Sequence, residues 1–290
     1  MRIALAQLDC VPGQVEANLS RAGEVVDRAG ADGADLVVFP ELFLSGHCVN
    51  DQGGDVTLGL DDERLGGLSL RGERPPAVVV GFTEAAHGAA CNSASYLQDG
   101  SVTHVHRKVS LVRYVLFEED KRFSPGRTVQ AFDTALGPMA ILLCNDAWQP
   151  GLAAVAVHAG AEVLVVPSNS ADSAFSQFMD LHQTWRDITR FYASLLECFV
   201  VFVNRVGGEG GMAFWGGSHV VDPSGRVVAE APLHEEALLM VDIDLADVHR
   251  RRWQVPLLDN PALDVVERDL GLLAGQRRAQ LEEYLTKEEA

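Results

Sequence analysis

The 290-residue chain is predicted to be an α/β protein with mixed sheets, and three features carry that prediction. Short apolar runs rich in β-branched residues recur between Gly, Pro and Asp, the pattern of buried strands. Segments with helical spacing lie between several of these runs, and such alternation is the mark of α/β folds. Two Gly-containing turns between strand-like flanks, Tyr96 to Ser101 and Val221 to Arg226, read as hairpins. Hairpins join antiparallel strands, so purely parallel sheets are not expected.

In chain order, strands are predicted at Ile3 to Leu8, Leu36 to Phe39, Ala77 to Phe82, Met139 to Leu143, Val163 to Val166, Phe199 to Val203 and Leu238 to Ile243. The first helix carries its apolar stripe on Leu19, Ala22, Val26 and Ala29; the longest carries Leu181, Trp185, Ile188, Tyr192, Leu195 and Phe199. No Ser/Gly-rich or Pro-rich linker interrupts this order, and no repeat or low-complexity tract is present. One domain is therefore expected over residues 1–260. Residues 261–290 turn charge-rich and helix-forming, as suits a solvated helix, a frayed tail or an arm across a subunit interface.

Composition excludes several classes. Asp and Glu number 41 against 23 Lys and Arg, a formal net charge of −18 that repels nucleic acid and anionic lipid. Five cysteines at wide spacings without a CxxC pair fit neither a disulfide framework nor a zinc knuckle. The first residues lack the long apolar core of a signal peptide. The most apolar stretch, Gly151 to Pro167, falls short of the roughly 18 to 20 residues that a spanning helix needs. A cytoplasmic, soluble protein without nucleic-acid or membrane partners is expected.

Three predicted strands end in unusual chemistry. Leu36 to Phe39 runs into Pro40 and Glu41, and a Glu at a strand's carboxyl end is either solvated or functional; burial would tune it toward general acid–base work. A second run ends in His104-Val105-His106-Arg107-Lys108, and here scarcity matters, since only Lys108, Lys121 and Lys287 are lysines among the 23 cations. Lys offers a compact point charge that Arg does not. His104 and His106 share a strand face, a weak signal for a metal without a third ligand. The third run delivers Cys144 to a strand-to-helix turn, where backbone amides can lower a thiol's pKa and form an oxyanion hole. A Cys–His pair with His47, His106 or His158 remains an alternative at this point.

Taken in order, Phe39-Pro40-Glu41, Arg107 to Leu111 and Leu143 to Trp148 resemble the signature blocks of the carbon–nitrogen hydrolase (nitrilase) superfamily. Phe117 to Gly126, Val166 to Asn169, Val203 to Gly207, Trp215 to Ser218 and Asp222 to Gly225 extend the resemblance over residues 2–245. It implies a four-layer α-β-β-α sandwich with two mixed sheets. It also implies a catalytic set in which Cys144 is the nucleophile, Glu41 the general base and then acid, and Lys108 the oxyanion stabiliser together with the backbone N–H of Asn145. By the same resemblance Glu119 orients Lys108 or the substrate. No metal and no organic cofactor are implied, and a homodimer or higher homo-oligomer is expected.

The function expected is hydrolysis of a carboxamide or carbamoyl C–N bond of a small molecule through a cysteine thioester, releasing ammonia or an amine. Cys144-x-Asp146-x-Trp148 and the segment around Glu119 look closest to the glutamine-amide-hydrolysing domains of NAD synthetases, so glutamine-like carboxamides are included. The alternatives are a nitrile hydrolase and a catalytically silent binding or regulatory member of the fold. Tyr114, Trp148, Asn169 and Trp215 flank the blocks and are candidates for the substrate pocket, with a scaffold role as the alternative for each.

Overall fold

The computed structural model describes residues 1–47, 56–86, 88–113, 119–172, 179–259 and 262–288. The first half of the chain forms β1 (Arg2–Gln7), α1 (Val15–Ala31), β2 (Leu36–Val38), β3 (Thr57–Leu58), α2 (Glu63–Gly67), β4 (Ala77–Ala86), β5 (Ala89–Gln98) and β6 (Ser101–Arg107). The second half begins with β7 (Met139–Ile141), α3 (Pro150–His158), β8 (Val163–Ser168), β9 (Ala171–Asp172), α4 (Leu181–Leu195) and β10 (Phe199–Asn204). It continues with β11 (Val206–Glu209), β12 (Met212–Trp215), β13 (His219–Val221), β14 (Val227–Glu230), β15 (Ala237–Asp242), α5 (Ala246–Gln254) and α6 (Leu263–Glu288).

Among the described residues, one sheet runs β15-β1-β2-β4-β5-β6 with β3 beside β4, and a second runs β14-β13-β10-β8-β7. Both are mixed: β1, β2 and β4 are parallel neighbours, as are β7, β8 and β10, whereas the two predicted hairpins add antiparallel strands. Alternation decides the layers, because successive side chains of a strand face opposite ways. Ile3, Leu5, Leu36 and Val38 of the first sheet meet Met139, Ile141, Val163, Val165 and Val201 of the second in one core. The other face of the first sheet, with Ala4, Val37, Val78 and Phe82, is covered by Leu19, Ala22, Val26 and Ala29 of α1. The other face of the second, with Ala140, Leu164 and Val200, is covered by α3 and by Trp185 and Tyr192 of α4. The result is the four-layer α-β-β-α sandwich.

The long helix differs from its sequence reading at its end. Asp180 caps it by accepting from the Gln183 N–H at 2.9 Å, and Leu181, Trp185 and Tyr192 are buried as the stripe requires. Leu195 lies on the open side, however, and Phe199 belongs to β10, because Glu197 takes a positive φ of 51° and turns the chain into the strand. A small third sheet, β11-β12-β9, has no clear alternation in the sequence. The charge-rich C-terminal segment forms α6, and the side chains from residue 262 to 280 are exposed. Among the described residues, no helix is long and apolar enough to cross a membrane.

Candidate active site

The carboxyl ends of β2, β6, β7 and β8 converge, and the residues that follow them are Glu41, Lys108, Cys144 and Asn169. Strand ends in α/β sheets present backbone groups and side chains that no neighbouring strand consumes. Each of the four is set by local geometry.

Glu41 follows Pro40 in a tight turn completed by Leu42 at φ 48°. The turn passes so close to β4 that a Cβ at Gly81 would stand 2.4 Å from the Leu42 nitrogen and 2.6 Å from the Pro40 oxygen. Glycine is required there by approach of backbone to backbone. Farther along, Glu209 accepts the His47 N–H at 2.9 Å, and buried Arg205 donates to both Glu209 and Asp9. Through these contacts the stretch after Glu41 is tied to β11 and to the segment that follows β1.

Lys108 stands one residue beyond β6. Its N–H donates to the Asn92 carbonyl at 2.9 Å and its carbonyl accepts from the Gly126 N–H at 2.8 Å. The dibasic pair divides its roles: Arg107 makes a two-pronged pair with Glu84 at 2.7 and 2.5 Å, while Lys108 is buried. The Lys108 ammonium lies 2.6 Å from Glu41 Oε1 and 2.9 Å from Glu119 Oε1, and all three side chains are 1% exposed. Glu119 opens a short 3₁₀ turn and is fixed from behind by the Val112 N–H at 2.7 Å.

Asn92, which sequence reasoning missed, completes this cluster. The register pairing Ser93 with Arg107 puts Asn92 across from Lys108, and its Nδ2 donates to Glu41 at 2.8 Å and Glu119 at 3.2 Å. The signal was present but faint: Asn92 shares the strand parity of Ala94 and Tyr96, which face the core between the sheets.

Cys144 opens a 3₁₀ turn with φ 43°, a left-handed conformation that ordinary side chains rarely adopt. Such strain is typical of functional turns and needs fixing by its surroundings. Asp146 supplies the fixing. Its Oδ1 accepts from the Val109 and Ser110 N–H groups at 3.0 and 2.7 Å, and its Oδ2 accepts from Leu143 N–H at 3.2 Å and lies 2.8 Å from His106 Nε2. Asn145 adds Nδ2 bonds to Ser110 at 3.0 and 3.1 Å, and the Tyr192 hydroxyl donates to the Ala147 carbonyl at 2.7 Å.

The electrostatics are those of a buried cation between two anions. Burial opposes the Lys108 charge, but the Glu119 and Glu41 carboxylates outweigh it and raise its pKa well above the ordinary lysine range. Burial likewise pushes Glu119 up, and Lys108, His47 and the Val112 N–H pull it down further, so its net shift is downward. The Cys144 thiol moves the opposite way to the sequence expectation. Burial and the Glu41 charge push it well above the usual thiol range, against weaker pulls from Lys108 and the Asn169 N–H. Cys144 is therefore held as a thiol, with the Glu41 carboxylate in electrostatic reach.

The other candidates fall at distinct places. Trp148 is half-buried and packs edge-on against Trp185 at 5.8 Å. Trp215 is buried against Phe202, its Nε1 donating to Ser170 Oγ at 3.2 Å. The Asn169 N–H donates to Glu41 Oε2 at 2.9 Å. Tyr114 lies outside the described residues. Among the histidines, His106 is committed to Asp146, His158 ends α3 about 12 Å along the helix from its start, and burial lowers the His47 pKa. His104 stacks on Phe132 at 3.9 Å, and among the described residues no group of three His, Cys, Asp or Glu side chains is placed to hold a metal.

The sequence model of the family described as carbon-nitrogen hydrolase matches residues 2–252. An (R)-stereoselective amidase from Pseudomonas sp. is 33% identical over 262 residues, covering 87% of this chain and 88% of that protein. A glutamine-dependent NAD(+) synthetase from Thermotoga maritima is 31% identical over 247 residues, covering 84% of this chain and 42% of that protein. The chain thus spans less than half the length of that relative. A mutant of the amidase from Nesterenkonia sp. AN1, showing covalent addition of the acetamide moiety of fluoroacetamide at its active-site cysteine, superposes with a TM-score of 0.72. Its identity is 27%, with 86% of this chain and 92% of that chain covered.

Proposed function

The chain belongs to the carbon–nitrogen hydrolase family, and we propose that it hydrolyses the C–N bond of a small-molecule carboxamide or carbamoyl compound through a thioester on Cys144. The observation that carries this reading is the Lys108 ammonium held between Glu41 and Glu119, within electrostatic reach of a half-buried thiol on a strained turn.

In this reading Glu41 takes the thiol proton as the sulfur attacks the amide carbon. The charge that develops on the carbonyl oxygen is met by the Lys108 ammonium and the Asn145 backbone N–H; a preorganised donor of this kind is worth about 10²- to 10³-fold in rate. Glu41 passes its proton to the departing nitrogen, and ammonia or an amine leaves. Water then attacks the thioester, Glu41 takes the water proton, and collapse of the adduct releases the acid and returns the proton to sulfur. Glu119 and Asn92 position Lys108 and Glu41 and do not exchange protons in this scheme.

A second reading narrows the substrate to the side-chain amide of glutamine. It is favoured by the several glutamine-dependent NAD(+) synthetases among the relatives, of which the chain matches 42% and 50% of the length in two cases. One experiment serves both: ammonia release from a panel of amides, ureido compounds, nitriles and glutamine, with Cys144→Ala and Cys198→Ala variants alongside. Activity on an amide that is lost only in Cys144→Ala supports the proposal, whereas equal activity in both variants overturns it.

A further inference from the structure

The Asn169 side chain is buried, yet among the described residues neither its Nδ2 nor its Oδ1 has a hydrogen-bond partner. An unmet polar group in the interior is costly, so each such group calls for an explanation. Slack in the backbone does not supply one. The Asn169 N–H is committed to Glu41, and the next residue is held on every side. The Ser170 N–H donates to Asn204 Oδ1 at 2.8 Å and its carbonyl accepts from Asn204 Nδ2 at 3.1 Å. Its hydroxyl oxygen accepts from the indoles of Trp185 and Trp215 at 2.9 and 3.2 Å. Residue 169 also continues the alternation of Val163 and Val165, the β8 side chains that face the layer between the sheets.

The scissile amide leaves this side chain no task, since its oxygen goes to Lys108 and Asn145 and its nitrogen to Glu41. We infer that Asn169 reads a second polar group of the substrate, one that both donates and accepts hydrogen bonds. A carboxylate would satisfy Nδ2 and set its charge against Oδ1; an ammonium would do the reverse, and a methyl group would satisfy neither. Two chemistries satisfy both atoms: a neutral carboxamide or ureido group, and the zwitterionic head of an α-amino acid. This inference rests on the amide-hydrolase reading for which carbon is attacked, but its test does not.

The test is equilibrium binding by calorimetry to the Cys144→Ala protein, which needs no turnover. The probes are a straight-chain diamide, glutamine, and a monoamide, an amide carboxylate and an amino amide of matching length. The diamide or glutamine is expected to bind at least tenfold more tightly than the three single-function probes, and their order tells the two chemistries apart. Asn169→Leu is expected to reduce that preference to threefold or less. Asn169→Asp, nearly isosteric and lacking the donor, moves preference toward the amino amide and serves should the Leu variant fail to fold. Equal affinity for all five probes, absence of binding at millimolar concentration, or a preference that survives Asn169→Leu overturns the inference. Diamide binding through Asn169 without ammonia release by the unaltered protein would instead overturn the hydrolytic reading and leave this one standing.

Discussion

His106 Nε2 and Asp146 Oδ2 lie 2.8 Å apart in a region closed to solvent, and through them the strand that carries Lys108 is joined to the turn that carries Cys144. His106 is two residues before Lys108 and Asp146 two residues after Cys144, so the contact sets the relative position of cation and sulfur. The other Asp146 bonds, to the Val109, Ser110 and Leu143 amides, bind the same two segments.

Replacing His106 with Phe is expected to lower kcat at least tenfold with a smaller change in KM, because the reacting groups remain but their spacing loosens. His106→Gln, which retains a donor, should recover part of that loss. Steady-state kinetics on one amide checks both variants; equal effects of Phe and Gln on kcat would show that volume rather than the hydrogen bond is at stake.

Glu41→Gln separates base from charge. Amide turnover should fall by about 10²- to 10⁴-fold with the loss of the proposed general base. The same change removes a negative charge that raises the Cys144 pKa, so the thiol should ionise at lower pH. The rate of iodoacetamide labelling against pH, followed by peptide mass spectrometry, should therefore shift its rise to lower pH in the variant. Cys10 and Cys198, buried and each pushed up to about 12, should label slowly in both proteins.

Stability should respond to pH in a direction the buried cluster dictates. Lys108 is raised above its ordinary 10.5, so its contribution is fully present below that pH and is lost as pH rises through the folded-state value. Glu119 is depressed below its ordinary 4.5, so its contribution is present above that pH and is lost as pH falls through the folded-state value. Lys108→Met leaves two buried carboxylates without their cation, a loss of about 3–5 kcal/mol. Thermal melts should show the gap between wild type and variant widest from pH 6 to 9 and narrowing below pH 4.5, where protonation relieves the unpaired charge; a pH-independent gap would contradict this account.

Gly81→Ala tests the support of Glu41 without touching it. The added methyl meets the Pro40–Leu42 backbone, so either that turn or β4 must shift, at a cost of about 1–3 kcal/mol. The expected signature is a fall in kcat larger than the fall in melting temperature implies, since the turn carries the proposed base. Kinetics and melting curves on the same preparation check it.

The sequence by itself determined the alternating architecture and the residue types at strand ends. Apolar runs mark β1, β2, β4, β7, β8, β10 and β15 and Gly-containing turns mark the β5–β6 and β13–β14 hairpins without reference to any other neighbour; Glu41 and Cys144 stand out because each ends an apolar run, and Lys108 because lysine is scarce in this chain. Local pattern tells which way a side chain faces, but not what lies across from it. Asn92 reads alone as an ordinary polar residue, His106 as a weak metal or base candidate and Asp146 as a member of the Cys144 block; only the β5–β6 register and the packing of one sheet on the other place them against Glu41, Glu119 and the Cys144 turn. The direction of the Cys144 pKa shift belongs to the same class. Turn amides, legible in sequence, lower a thiol's pKa, whereas the carboxylate and the burial that outweigh them arrive from more than 100 residues away in the chain. Electrostatic and hydrogen-bond energies depend on distances in space, and those exist only once the sandwich has closed.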